Sequence, residues 1–459
     1  MVALAAPEIL EVRVRNPELW NNWRWQVQHS IFSIKGLMTW FPRLEGAYIE
    51  QITHALERFN FALTPYLLAY LAFTEKGIPD LRDPLTALFV PSPELYDLNA
   101  SPDMYHSPVA NMNWENPEEM VLENSTALQH KYPDRALYRT GAGGKGKSCF
   151  CICQHCFEAH RVLDRMTEKG VRPGDWEKIL RYTRAHTEIR DFIFSGGEPL
   201  MFSDAKLEGM LSDLREIKHI EIIRFHTAAL IHCPMRFTHE LADIFKRYQV
   251  TEIGIHVLHE RQITEEFERC IGVFDDAGYG SIHKYAHIPF LRGVNDSGDL
   301  MLGLNRALLQ CGVSQYYVLH SLPWTLGAQK YRTSVWELGN LFASLKRRVS
   351  NILLRAEPTI VARGGKMLIP LERGRFWLRL PDVAGIRVWN SDGTYSKLSD
   401  YAIGREGDFL CFDGTPKFMY ATDAKGNPVI VFKPWWNSED GEETWEAYLD
   451  IQGAWRQRA

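Results

Sequence analysis

The chain is predicted to be an α/β protein built around an open, partial (β/α)6 barrel, with a helical N-terminal region and a small β-rich C-terminal extension. Three observations predict this. Short apolar segments alternate with longer amphipathic ones between about residues 135 and 350. The part before about residue 130 reads as helical, with a Pro- and Asp-rich stretch, 79–118, as loops between short helices. After about residue 372 the chain turns to short segments such as FWLRL, IRVWN, DFLCF and VIVFKPWW between Gly, Asp and Asn turns.

In the first part, Leu19, Trp23, Val27, Ile31 and Ile34 recur at three- and four-residue steps, and Ile52, Ala55, Phe59 and Phe61 mark another helix. In the second, candidate strands are 136–140, 192–194, 220–225, 252–257, 281–287 and 315–319. Candidate helices are 175–187, 205–217, 238–248, 262–277, 297–311 and 334–350. Strands alternating with helices of this length imply parallel crossover units. About six units suit an open barrel better than a closed eight-fold one. The implied division is 1–130 helical, 131–350 barrel, and 351–459 C-terminal, with a short terminal helix at 442–457.

Composition narrows the function. With 52 basic against 57 acidic residues the net charge is −5, which gives no reason to expect nucleic acid as a partner. No stretch approaches the roughly 18 consecutive apolar residues of a membrane span. The start, MVALAAPEILEVRVRN, lacks the basic opening and long apolar run of a secretory signal. A cytoplasmic location is therefore expected. There the eight cysteines stay reduced, and a tight group of them is better read as metal-binding than as disulfides.

Residues 149–156 read CFCICQHC. Cys149, Cys153 and Cys156 have the spacing Cys-x3-Cys-x2-Cys. Three thiolates on one tight loop hold three irons of a cubane cluster and leave the fourth open. A structural zinc site would need a further ligand pair, and Cys233, Cys270 and Cys311 are isolated. Cys151 is a fourth thiol, read as a bystander, with an alternative ligand as the other reading.

Residues 141–148, GAGGKGKS, match the phosphate-cradling pattern G-x4-G-K-[ST] after a plausible strand. That reading would make the chain a nucleotide-binding protein. It requires a helix opening at Lys147. Four cysteines follow instead, and the next helix is expected near Phe157. A flexible loop entering the cysteine cluster is the better reading.

One unit later, FIFSGGEPL ends a buried strand in Ser195, Gly196, Gly197 and Glu198. Paired glycines at a strand end let a ligand approach the backbone closely.

Together these motifs resemble the radical S-adenosylmethionine superfamily, and more narrowly the lysine 2,3-aminomutase-like family. Further matching segments are NNWRWQ (21–26), HKYPDRALY (130–138), AGYGSIHKYAHIPFLRGVND (277–296), SQYYVLHSLPWTLG (314–327) and ARGGKMLIP (362–370). The resemblance implies a [4Fe-4S] cluster on Cys149, Cys153 and Cys156, and S-adenosylmethionine bound by Ser195, Gly196, Gly197 and Glu198. It places His256 near that nucleotide, and His287 where the family usually has a Gln facing it. Lys366, after a glycine run, corresponds to the lysine that holds pyridoxal phosphate covalently, and Arg135 to an arginine at its phosphate. The implied activity is a 1,2-amino shift giving a β-amino acid. A radical enzyme of another reaction type, without pyridoxal phosphate, is the alternative. The implied partners are a small amino-acid-like substrate, an electron donor such as flavodoxin or ferredoxin, and further copies of the chain as a homo-oligomer.

Departures bear on the substrate. Where the family has an Arg that pairs with the substrate carboxylate, this chain has Glu158, with His160 or Arg161 as the alternative partners. HSLPWTLG (320–327) and TIVARGGK lack the acidic residues that hold the distal ammonium in lysine-specific members. Free lysine is therefore not the expected substrate.

Overall fold

The computed structural model describes residues 7–92, 120–141, 148–158, 175–362 and 365–368, with short breaks at 42–43, 45, 59–60, 76–77, 123–124, 279–281, 322–326, 332 and 334. Beyond these it describes six short strands between 377 and 432. The GAGGKGK loop from 142 to 147, the helix expected after Phe157 beyond 158, and the terminal helix at 442–457 lie outside the described residues.

One ten-stranded sheet runs in chain order: β1 Met120–Leu122, β2 Ser125–Tyr132, β3 Arg135–Arg139, β4 Asp191–Ser195, β5 Ile222–Thr227, β6 Glu252–His256, β7 His283–Phe290, β8 Ser314–His320, β9 Glu357–Ala362 and β10 Gly365–Leu368. Strands β3 to β9 are parallel throughout. The edge pairs β1–β2, β2–β3 and β9–β10 are antiparallel. The sheet does not close, as expected of a partial barrel. It has seven parallel strands because EPTIVA, part of the stretch read as C-terminal, forms β9 beside β8.

Helices Asp204–Arg215, His239–Arg247, Glu265–Asp276 and Gly298–Gln310 cover the outer face. Each begins at a Ser or Thr whose hydroxyl accepts an amide of the first turn: Ser203, Thr238, Thr264 and Ser297. Strand side chains alternate. Phe192, Phe194, Ile223 and Phe225 are fully buried under the helices, while Ile193, Ser195, Arg224 and His226 line the inner cavity. Phe225 is central to the outer layer. It stacks on Phe194 with ring centroids 4.5 Å apart and meets Phe245 of helix His239–Arg247 at 4.6 Å.

The N-terminal region is helical but more broken than its periodicity predicts. The pattern from Leu19 to Ile34 spans helices Pro17–Trp20 and Trp23–Gln28 and the start of Ile34–Trp40. Asn22 and Ser33 turn their side chains onto the amides that follow, which starts a new helix at each. Phe61 lies beyond the end of helix Gly46–Arg58. Strands β1 and most of β2 also fall within the part read as helical.

This region grips the cysteine loop. The amide of Ile152 donates to the carbonyl of Ala62 (3.1 Å), and that of Gln154 to the carbonyl of Leu88 (2.7 Å). The small strands Trp377–Arg379, Arg387–Trp389, Tyr395–Lys397, Phe409–Cys411, Met419–Thr422 and Pro428–Phe432 pair antiparallel, as the C-terminal pattern predicts.

Phe225→Ala would empty the centre of the outer layer. A loss of about 3–5 kcal/mol in stability is expected, measured by urea unfolding followed by circular dichroism. A loss under about 1 kcal/mol would contradict this packing.

Candidate functional site

A cavity of about 340 Å³ opens inside the arc of strands. Its walls bring together Cys149, Cys153, Cys156, Ser195, Gly196, Gly197, Glu198, His256, His287, Arg135 and Lys366. Every site residue expected from the sequence therefore faces one space.

The cysteine loop forms no helix or strand from 148 to 156. The phosphate-cradling reading of GAGGKGKS requires a helix there, so its second half is unsupported. Burial holds the thiols of Cys149 and Cys153 well above the usual range, and pushes Cys156 up to about 12. Protonated buried thiols with this donor set fit a metal centre whose loading releases protons. The backbone amide of Glu158 faces the Cys156 sulfur. Cys151 is buried and also lines the cavity.

The Ser195–Glu198 loop presses against the root of the cysteine loop. The amide of Gly141 donates to the carbonyl of Gly196 (3.2 Å), and the amide of Glu198 to that of Ser148 (2.8 Å). Both glycines are required. Gly196 has φ +60°, and a Cβ there would lie 2.5 Å from Arg139 Cγ. Gly197 has φ +109°, and a Cβ there would lie 2.9 Å from Gly141 Cα. The Glu198 carboxylate accepts from the Thr227 hydroxyl (2.6 Å) and from the amides of Leu200 (3.0 Å) and Ala228 (2.8 Å). Burial raises its pKa to about 7, against the pull of those three donors.

Three histidines form the opposite wall. His256 and His287 are register partners on β6 and β7, and His226 comes from β5 on the same face. Their nearest ring nitrogens lie within 4.8 Å of one another. Gly254 lets His226 and Tyr285 meet across β6, since a Cβ there would lie 2.8 Å from each ring. The Tyr285 hydroxyl is 3.0 Å from His226 Nε2. Desolvation keeps all three imidazoles neutral. His256 is lowered to about 4, and His226 and His287 lie well below the usual histidine range.

Lys366 lies on β10, at one open edge of the sheet. Its amide donates to the Tyr132 hydroxyl on β2 near the other edge (3.0 Å), and its ammonium sits 4.8 Å from the Tyr317 ring centre. The residue is exposed overall, but its amine lies against Tyr317 in the cavity wall and is partly desolvated there. That desolvation, reinforced by Arg224, Arg135 and Lys131, lowers its pKa to about 8. Arg135 stacks on Tyr132 at 4.5 Å and pairs with Asp134 at 3.0 Å. Arg224 is held by both oxygens of Asp191, with Nε to Oδ1 at 2.9 Å.

Sequence reading missed Arg224, His226, His232 and Arg139. Two of them had a signal: Arg224 and His226 alternate with apolar residues along RFHT, which puts both on the inner face. Arg139, almost fully buried, donates to the Thr126 carbonyl (3.1 Å) and Gln129 (3.0 Å), and pairs with Glu158 at 3.4 Å. Nothing local in RALYR marks it.

Replacing Cys149, Cys153 or Cys156 by Ala is expected to abolish iron loading, while Cys151→Ala retains it. Iron content and low-temperature electron paramagnetic resonance check this. Normal cluster in any of the first three, or loss only in Cys151→Ala, would overturn the assignment.

No protein-family model matches the chain. Curated proteins do. A protein of Aquifex aeolicus (strain VF5) named "Putative L-lysine 2,3-aminomutase" is 32% identical over 360 residues, which is 77% of this chain and 88% of that protein. The L-lysine 2,3-aminomutase of Clostridium subterminale is 29% identical over 84% of this chain and 86% of its own length. The glutamate 2,3-aminomutase of Clostridioides difficile (strain 630) is 26% identical over 86% of each. Among solved structures, "Native anSMEcpe with bound AdoMet and Cp18Cys peptide" aligns over 46% of this chain and 58% of that one, with a TM-score of 0.36 and 13% identity, too distant to add to the sequence matches. With the cysteine loop, the glycine loop and Lys366 on one cavity, and close to a third of residues shared over most of a relative's length, the chain belongs to the lysine 2,3-aminomutase family of radical S-adenosylmethionine enzymes.

Proposed function

We propose that this enzyme catalyses a radical-initiated 1,2-amino shift on an α-amino acid other than free lysine, giving a β-amino acid. The observation that carries the substrate reading is the charge inventory of the cavity. Its described lining holds four cationic side chains, Lys131, Arg135, Arg224 and Lys366, and two carboxylates, Glu158 and Glu198. Glu158 pairs with Arg139, and Glu198 is taken up by Thr227 and two amides. Neither is available to a distal ammonium. Desolvating that ammonium without a counter-charge costs about several kcal/mol. An uncharged or acidic side chain avoids the penalty. One relative is named for glutamate. Of the cavity's own cations, Arg224 is already paired with Asp191 and Arg135 with Asp134, so what decides against lysine is the missing counter-charge for its ammonium.

Cys149, Cys153 and Cys156 hold the [4Fe-4S] cluster in this reading. Ser195, Gly196, Gly197 and Glu198 receive the methionine end of S-adenosylmethionine, and His256 and His287 face its nucleoside. The glycine backbone lets a ligand approach closely, and three donors prevent Glu198 from swinging. Neutral imidazoles add no positive charge beside a sulfonium. Lys366 holds pyridoxal phosphate, with Arg135 on the phosphate side as a planar donor for oxyanions. An amine with pKa near 8 is partly unprotonated at neutral pH, the form that attacks an aldehyde. When bound, the cluster and S-adenosylmethionine supply a carbon radical, and pyridoxal phosphate carries the migrating nitrogen. The electron comes from a donor of the flavodoxin or ferredoxin class.

Borohydride treatment in the presence of pyridoxal phosphate should label one peptide, that containing Lys366. Labelling should rise as pH passes about 8, whereas a lysine of ordinary pKa, 10.5, would respond far later. Lys366→Ala should lose the label and keep its iron. Label on another lysine would refute the assignment, and no label would favour a radical reaction without this cofactor. In an anaerobic amino-acid panel, lysine should be turned over at least tenfold more slowly than the best acidic or uncharged substrate. Lysine as the best substrate would refute the charge argument.

A further inference from the structure

We infer that His232 donates a hydrogen bond to the Cys153 sulfur and thereby sets the reduction potential of the cluster. This rests on Cys153 being a cluster ligand, as proposed above. His232 ends a four-residue helix, Ala229–His232, directly after β5. Its Nε2 lies 3.5 Å from Cys153 Sγ, a normal length for N–H···S. The ring is 2% exposed and held on several sides. Phe89 meets it edge-on at 5.4 Å, and the Thr64 hydroxyl donates to its carbonyl at 2.6 Å. Phe89 and Thr64 both come from the N-terminal region that also grips the cysteine loop.

The direction of the bond follows from chemistry. An iron-bound thiolate carries no proton and can only accept. Nε2 must therefore be the N–H of the imidazole, which leaves Nδ1 as an acceptor. Nδ1 is buried without a hydrogen-bond partner among the described residues. Leaving such an atom unsatisfied is costly, and a Phe or Leu would fill the same space without that cost. The ring nitrogen that does have a partner is the one facing the Cys153 sulfur. A donor aimed at a cluster sulfur stabilises the more negative, reduced state and raises the potential. His232 thus eases the one-electron reduction on which cleavage of S-adenosylmethionine depends, without touching substrate.

The test is a redox titration of anaerobically reconstituted full-length enzyme, without S-adenosylmethionine, followed by the electron paramagnetic resonance of the reduced cluster. His232→Phe fills the space and removes the donor. It should keep full iron content and shift the reduction equilibrium about tenfold toward the oxidised form, a midpoint lower by about 59 mV for one electron. His232→Gln, which restores an N–H, should recover much of the shift. An unchanged midpoint in fully loaded His232→Phe, or an equal drop in His232→Gln, would overturn the inference while leaving the cluster assignment intact. Absence of any cluster in the parent would instead sink the assignment beneath it. Should His232→Phe fail to fold, the parent labelled with 15N-histidine still decides. Pulsed electron paramagnetic resonance should find a weak histidine nitrogen coupling to the reduced cluster, and none would overturn the inference.

Discussion

Two strand-end loops lie backbone against backbone, with no room for a Cβ between Gly197 and Gly141 or between Gly196 and Arg139. The amides of Gly141 and Glu198 fasten this contact. The site depends on it. The cysteine loop has no regular structure of its own and takes its shape from its neighbours: the glycine loop on one side, and Ala62 and Leu88 of the N-terminal region on the other. Irregular backbone buried in this way needs its polar groups satisfied from outside. The sheet provides the rigid half of that support through Phe194, Phe225 and Phe245.

Burial also governs the electrostatics. It keeps the histidine wall neutral, keeps the thiols protonated before iron arrives, and brings Lys366 toward neutrality. The last effect needs the open edges of the sheet to approach each other. The Lys366 amide reaches Tyr132, 234 residues earlier in the chain, and this bond spans the gap that the partial barrel leaves. The lysine then lines the cavity near Arg135 and Arg224, while the residue as a whole stays exposed to solvent.

Much of this was legible in the sequence because its signals are local. The CFCICQHC spacing, the SGGEP turn and the alternation of strands with helices each lie within a few residues. All six helices read between 175 and 350 lie within four residues of their structural ends, because apolar spacing marks each and Ser or Thr caps start four of them. What escaped reading depends on contacts between distant residues. EPTIVA is a strand only because β8 lies beside it. The run from Leu19 to Ile34 breaks where Asn22 and Ser33 compete for the backbone. Arg139 and His232 gain their roles from Glu158 and Cys153, 19 and 79 residues away, and nothing in their own neighbourhoods reveals this.

The central claim is that this cavity generates a radical on an amino acid lacking a cationic side chain. It is tested most directly by deuterium transfer. Reduced, reconstituted enzyme would be incubated anaerobically with S-adenosylmethionine and amino acids deuterated at the β-carbon, including glutamate, uncharged residues and lysine. The account predicts deuterium in 5′-deoxyadenosine from an acidic or uncharged amino acid, with little from lysine. Unlabelled 5′-deoxyadenosine from every acidic and uncharged candidate, together with strong label from lysine, would contradict it.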